Sequence, residues 1–277
     1  MGSPSFACSS LQGLCDLFSD SQITVFSRTD KPVKRSDKLV ATPVKKLALS
    51  LNLTVKTPVN KTELEKEVMA IQPDLIVVVA YGMILPQSIT DTFFCINGHG
   101  SILPAYRGAS PIQASLLNQD TETGITLIRM NEKMDAGDIL AISKCPIYDH
   151  DHLGDLTSKL SLLCAQSLVE FLKNHPTLSQ ADLTPQFEDG VSYCTKINST
   201  DLALDGMIDP FDKLAKIKAF SPKPGAYMTF YSKRLKILKA TVIDGQLLPK
   251  LVQPEGKKPM SFHDFCLGNP KAKKYDF

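Results

Sequence analysis

The sequence predicts an α/β domain built on a parallel sheet, followed by a smaller β region. Three observations predict it. Leu75-Ile76-Val77-Val78-Val79-Ala80 is a continuous, β-branched run, the pattern of a strand buried on both faces. Strand-like and helix-like segments alternate up to about residue 120, as right-handed βαβ crossovers require. Beyond residue 210 an initial helix gives way to strand-like runs at Ala226–Phe230 and Leu235–Val242, which points to a separate β region.

Each element follows from a local pattern. Leu11, Leu14, Leu17 and Phe18 give residues 5–18 a helical spacing. Gln22–Ser27 reads as a strand, and residues 29–41, with little apolar content, as a loop. Thr42-Pro43 combines an N-cap residue with proline at the first helical position, so a helix is expected to about Leu51. A short strand at Leu53–Lys56 and a helix at Lys61–Ile71 precede the buried run. Cys95-Ile96-Asn97 is a further strand. Thr123–Met130 and Asp138–Ile147 are apolar runs joined by a polar turn, hence an antiparallel pair. Leu153–Lys173 is a long amphipathic helix. These patterns divide the chain into a domain at 1–180, an irregular linker at 181–209 and a small domain at 210–277.

Composition narrows the function classes. The 277 residues are 43% hydrophobic and 22% charged, an ordinary globular balance. The longest apolar run is far below the roughly 20 residues that span a bilayer. The start carries neither a secretory signal nor an Arg-rich presequence, so the cytoplasm is the expectation. Seven cysteines without a CxxC spacing argue for reduced thiols rather than a disulfide framework or structural zinc. Met1-Gly2-Ser3-Pro4 is not a GxGxxG fingerprint, so no dinucleotide is indicated. Asp149-His150-Asp151-His152 has metal-ligand residue types, but four consecutive side chains rarely converge on one point. Asp151 reads better as a helix N-cap, and no metal is expected.

Net charge is only +2, yet two stretches are basic: Lys31, Lys34, Arg35, Lys38, Lys45 and Lys46, then Lys233, Arg234, Lys236 and Lys239. Such patches either meet phosphates or are simply solvated.

In open α/β sheets ligands bind beyond the carboxyl ends of the strands. That directs attention to residues 80–86 and 97–109. Asn97 and His99, two apart, project the same way if the extended path continues. A histidine there can act as general acid or base. An Asn amide can donate to a developing oxyanion. Asp135 lies just before the second strand of the antiparallel pair, and the turn could return it to His99. Spacing alone leaves open a merely structural histidine and an aspartate doing turn chemistry beside Gly137.

The segments Asn97-Gly98-His99-Gly100-Ser101-Ile102-Leu103-Pro104 and Tyr106-Arg107-Gly108-Ala109-Ser110-Pro111-Ile112 resemble the methionyl-tRNA formyltransferase family. So do Gly124-Ile125-Thr126, Met134-Asp135-Ala136-Gly137-Asp138 and Phe220-Ser221-Pro222-Lys223-Pro224-Gly225-Ala226. The resemblance runs from Met1 to the Gly256-Lys257-Lys258-Pro259-Met260-Ser261 tail. It implies a Rossmann-like formyltransferase domain followed by an oligonucleotide-binding-like β domain. It also implies formyl transfer from 10-formyltetrahydrofolate, as co-substrate, to the α-amine of initiator methionyl-tRNA. The family's catalytic roles fall on Asn97, His99 and Asp135. Folate contacts fall on Ser101, Ile102, Leu103 and Pro104 and on the Tyr81, Gly82, Met83 and Ile84 turn. Contacts to tRNA fall on Arg35, with Lys31, Lys34 and Lys38 adding positive potential. A monomer without metal or membrane association is expected.

Two departures from the family shape further expectations. The family's first strand precedes the motif at which this chain begins, so open edges are expected beside the gap, and an upstream start codon would fill it. The family's five-stranded barrel is reduced here, because Ala240-Thr241-Val242-Ile243-Asp244 passes almost directly to Leu247–Gln253. Two rival functions are therefore retained: formylation of an amino sugar on a nucleotide carrier, and tRNA binding without catalysis.

Overall fold

A computed structural model describes residues 1–32 and 39–274. The chain divides into two compact units. The first comprises residues 1–108, 124–145 and 158–193; the second comprises 109–123, 146–157 and 194–277.

In chain order the elements begin with α1 (Cys8–Leu17), β1 (Thr24–Phe26), β2 (Lys31–Pro32), β3 (Leu39–Val40), α2 (Pro43–Ser50), β4 (Thr54–Lys56), α3 (Lys61–Ile71) and β5 (Ile76–Val78). They continue with α4 (Gln87–Thr92), β6 (Cys95–His99), β7 (Arg107–Gly108), α5 (Pro111–Leu117), β8 (Glu122–Arg129), β9 (Ile139–Pro146), α6 (Leu153–Asn174) and β10 (Tyr193–Cys194). The last are α7 (Pro210–Phe220), β11 (Ala226–Phe230), β12 (Lys233–Ile243), β13 (Gln246–Pro254), β14 (Met260–Ser261) and α8 (Phe262–Gly268).

Side-chain caps explain several boundaries. Thr42 Oγ1 accepts from the Lys45 amide at 3.1 Å and starts α2 with Pro43 at its first position. Asn60 Oδ1 accepts from the Glu63 amide at 2.9 Å and starts α3. Residues 29–41 are not wholly a loop: Lys31–Pro32 and Leu39–Val40 pair as a short antiparallel ribbon, β2 with β3.

In the first unit β5 and β6 are parallel, with Val78 opposite Asn97. Strand β6 then pairs antiparallel with β8, with His99 opposite Thr126, and β9 follows at the edge. Leu64, Val68, Ile76, Val78, Ile89 and Phe93 form the core between this sheet and helices α3 and α4.

Strands β1 and β4 form a separate parallel pair. Met1 and Gly2 link that pair to β5. The Gly2 amide donates to the Phe26 carbonyl at 3.0 Å, and the Val79 amide donates to the Met1 carbonyl at 2.9 Å. Gly2 is held closely, since an added Cβ would stand 2.8 Å from the Ala7 Cβ and 3.0 Å from the Val79 carbonyl oxygen. Beyond this link β1 and β5 flank a cavity of about 380 Å³ whose lining includes Leu11, Leu14, Phe26, Val68 and Ile76. The Met1 ammonium donates to the Val77 carbonyl at 2.6 Å. Burial lowers its pKa to about 5, against a smaller upward pull from the Cys95 thiol.

The second unit holds a four-stranded antiparallel sheet in the order β11-β12-β13-β14. Ile217, Phe220, Ala226, Ile237, Val252 and Phe265 pack its core. This is the reduced β domain, an open meander rather than a five-stranded barrel. Helix α8 forms because Ser261 Oγ accepts from the Asp264 amide at 3.0 Å and Phe265 and Cys266 are buried. None of the seven cysteines is joined in a disulfide. No helix among the described residues is long and apolar enough to cross a membrane.

Candidate active site

Strands β5 and β6 end side by side, so the turn after Val79 and the segment after His99 lie at neighbouring carboxyl ends. Asn97 and His99 stand on β6, two residues apart. Asp135 lies between β8 and β9 with φ of 51°, in the left-handed region that non-glycine residues rarely adopt.

The three side chains meet. Asn97 Nδ2 donates to Asp135 Oδ1 at 3.2 Å. His99 Nδ1 lies 3.6 Å from the same oxygen. The other carboxylate oxygen, Asp135 Oδ2, accepts from the Gly108 amide at 2.9 Å. The far side of the imidazole is also fixed, with His99 Nε2 2.9 Å from the Tyr106 carbonyl oxygen. A carbonyl only accepts, so Nε2 carries a hydrogen and Nδ1 is the nitrogen left to exchange a proton beside the carboxylate. The His99 side chain is 6% exposed and that of Asp135 15%, so the pair sits in a setting where charge interactions are stronger than in bulk water.

Tight approach holds the two walls. An added Cβ at Gly98 would stand 2.6 Å from Cys164 Sγ, and one at Gly137 would stand 1.8 Å from the Arg129 carbonyl oxygen. Glycine is required at Gly137, where the main chain occupies the space a side chain would fill, whereas at Gly98 the obstacle is the Cys164 side chain. Below His99, Thr126 Oγ1 donates to the Ser101 carbonyl at 2.7 Å and accepts from the Leu103 amide at 3.0 Å.

The remaining candidates divide into groups. Ser101 is fully buried and donates to the Ala105 carbonyl at 2.6 Å; Leu103 is buried too. Their side chains are spent on the segment's own shape. Ile102 and Pro104 are half-buried. Tyr81 is turned into the core, where burial pushes its phenol up to about 12, against Arg28 and with a smaller push from Glu67. Its carbonyl accepts from Ser3 Oγ at 2.8 Å. Gly82 and Ile84 are exposed and Met83 is half-buried. Lys31 is exposed on β2, whereas Lys34, Arg35 and Lys38 lie outside the described residues. Among the described residues no group of three His, Cys, Asp or Glu could hold a metal ion. The Asp151 carboxylate accepts from the Tyr148 amide at 2.9 Å, just ahead of α6.

Sequence reasoning missed the segment 184–192. Thr184 and Ile139 exchange main-chain hydrogen bonds at 2.7 and 3.0 Å. Ser192 Oγ accepts from the Tyr106 amide at 2.9 Å, and the Arg107 amide donates to the Ser192 carbonyl at 2.9 Å. Gln186 sits between these anchors and touches the Asp135 loop. Its only signal in the sequence is the polar residue of Thr184-Pro185-Gln186-Phe187.

Residues 4–172 match the formyl transferase family. The methionyl-tRNA formyltransferase of Ehrlichia canis is 36% identical over 296 residues, covering 97% of this chain and 95% of that protein. That of Hydrogenovibrio crunogenus is 35% identical over 293 residues, covering 96% and 93%. A solved N-formyltransferase from Helicobacter canadensis, in complex with folinic acid and dTDP-3-aminofucose, has a TM-score of 0.66 at 19% identity, covering 94% of this chain and 96% of that one. At that identity the likeness concerns the fold alone. With sequence similarity through nearly its whole length, this chain belongs to the formyl transferase family, and methionyl-tRNA formyltransferases are its relatives by sequence.

Proposed function

We propose that the chain transfers the formyl group of 10-formyltetrahydrofolate to the α-amino group of methionyl-tRNA, the reaction that starts translation on a formylated residue. The observation that carries this reading is the convergence of Asn97, His99 and Asp135 at the end of β6 in a chain whose relatives bear that enzyme's name. The folate supplies an activated formyl group. The Ser101–Pro104 segment and the Tyr81–Ile84 turn suit its recognition through the main chain, since Ser101, Leu103 and Tyr81 are turned inward. Gly82, where an added Cβ would meet nothing within 4 Å, leaves that turn open to a ligand.

Each polar group has a task. Nδ2 of Asn97 carries a second hydrogen, which it presents to the formyl oxygen as negative charge develops there. His99, held at Nε2 by the Tyr106 carbonyl, uses Nδ1 to exchange the proton. Asp135 stabilises the imidazolium and keeps the ring in place. One carbon–nitrogen bond forms to the methionyl amine and one breaks to the folate N10. One proton passes from the amine to N10, so the products are formylmethionyl-tRNA and tetrahydrofolate.

The acceptor is the methionyl end of the tRNA. Lys31 lies on β2, and Lys34, Arg35 and Lys38 complete the basic segment assigned to it. In the second unit β12 carries Lys233, Arg234, Lys236 and Lys239. Their contribution is phosphate contact, which makes affinity salt-dependent. The enzyme acts as a cytoplasmic monomer.

Transfer of labelled formyl from 10-formyltetrahydrofolate tests the reading, with methionyl-tRNA and nucleotide-linked amino sugars offered separately. Labelling of methionyl-tRNA supports it. Labelling of the sugar alone would replace it with the small-molecule reaction, and tRNA binding without any transfer would leave a binding protein.

A further inference from the structure

The structure assigns a role to Gln186: we propose that it is the positioning residue that fixes Asp135 against His99 and Asn97. Its side-chain amide is fully used. Nε2 donates to the Asp135 carbonyl at 2.9 Å and to the Gly137 carbonyl at 2.7 Å. Oε1 accepts from Arg107 Nε at 3.0 Å. These partners settle the amide's orientation, because two carbonyls require a donor and a guanidinium requires an acceptor.

The geometry shows why such a clamp is needed. Asp135 holds a left-handed backbone that its side chain disfavours, at φ 51°. Its neighbour Gly137 is pressed against the Arg129 carbonyl. Asp135 Oδ2 reaches the Gly108 amide on the opposite wall. Gln186 bridges the same two walls: the 135–137 turn through its N–H groups and Arg107, next to Gly108, through its oxygen. Arg107 is buried, so its Nε needs that acceptor. Thr184 and Ser192 anchor the chain on either side of Gln186, to Ile139 and to the 104–107 segment respectively. Removing the amide frees the turn to relax, and the carboxylate then drifts from the imidazole. A displacement near 1 Å can cost on the order of 100-fold in rate.

The inference rests on Asp135 belonging to the reacting centre, and the test separates the two ideas. Full-length Gln186→Met keeps the side chain's length and loses all three bonds. Gln186→Glu keeps the acceptor for Arg107 and loses both donors. Both are assayed for formyl transfer to methionyl-tRNA well below their melting transitions, beside Asp135→Asn and the Asp135→Asn/Gln186→Met double variant. The expected result is a fall in kcat of about 10- to 100-fold in both Gln186 variants, with each KM within about threefold. The double variant should be no slower than Asp135→Asn, because the amide acts through that carboxylate. Wild-type kcat in Gln186→Glu, or losses that multiply in the double variant, would overturn the role of Gln186 while leaving Asp135 in place. Wild-type turnover in Asp135→Asn would instead overturn the reading of Asp135 on which it rests.

Discussion

The two edges of strand β5 are held in different ways. On one side it runs in register with β6, and at the end of β6 the polar groups of Asn97, His99 and Asp135 are each tied to a neighbour. On the other side Met1 and Gly2 close against it, and a cavity of about 380 Å³ follows. The first edge is over-determined by hydrogen bonds between the walls of the site. The second is held by two residues beside a void, where packing contacts are forfeited. The contrast puts the proposed reacting groups and the thinly held edge of the sheet on opposite sides of one strand. Substitutions on the two sides should therefore leave different signatures.

The largest separation comes from the site itself. His99→Ala should lower turnover by about 10²- to 10⁴-fold while folate affinity and the melting temperature stay close to wild type. A melting temperature that fell in step with activity would make His99 a packing residue and erase the contrast.

Gly98→Ala probes the boundary between the two regimes. Its methyl group would enter the space held by Cys164 Sγ, and overpacking of this kind costs about 1–3 kcal/mol. Adding Cys164→Ala should restore most of that stability in a denaturant titration. If the second change restores nothing, the strain lies in the backbone and not in that contact.

The Met1–Gly2 edge has its own signature. Gly2→Ala would place a methyl group 2.8 Å from the Ala7 Cβ and 3.0 Å from the Val79 carbonyl oxygen, and overpacking of this kind costs about 1–3 kcal/mol. Turnover measured well below the melting transition should stay unchanged. A wild-type denaturant midpoint would show that this edge is not closely held.

The smallest effect is at Lys31. Lys31→Ala should reduce the slope of log affinity for tRNA against log salt by about one contact's worth, 0.7 to 0.9. An unchanged slope would detach Lys31 from the phosphate backbone.

Much of this architecture was legible in the sequence where a local rule decided it. Asn60 and Thr42 marked the starts of α3 and α2 because their side chains cap the first free amides. The apolar run at 75–80 marked β5 because only a strand covered on both faces tolerates it. What local rules could not supply was the join between His99 and Asp135. That depends on the register of β6 against β8, which sets the height at which the turn after β8 returns. Gln186 was invisible for a related reason. It lies on an irregular segment with no period, and its importance comes from three partners distant in sequence. Likewise α8 was hidden, because the burial of Phe265 and Cys266 that adds to its Ser261 cap comes from partners distant in sequence.

The most direct test of the account is single-turnover transfer of labelled formyl to methionyl-tRNA by the wild-type chain and by Asp135→Asn, with folate binding measured on the same samples. The account expects transfer by the wild type, and folate binding by both within about threefold. It expects a fall of at least about 100-fold in the transfer rate of the variant. Equal transfer rates in the two proteins, or no transfer to methionyl-tRNA by the wild type, would contradict it.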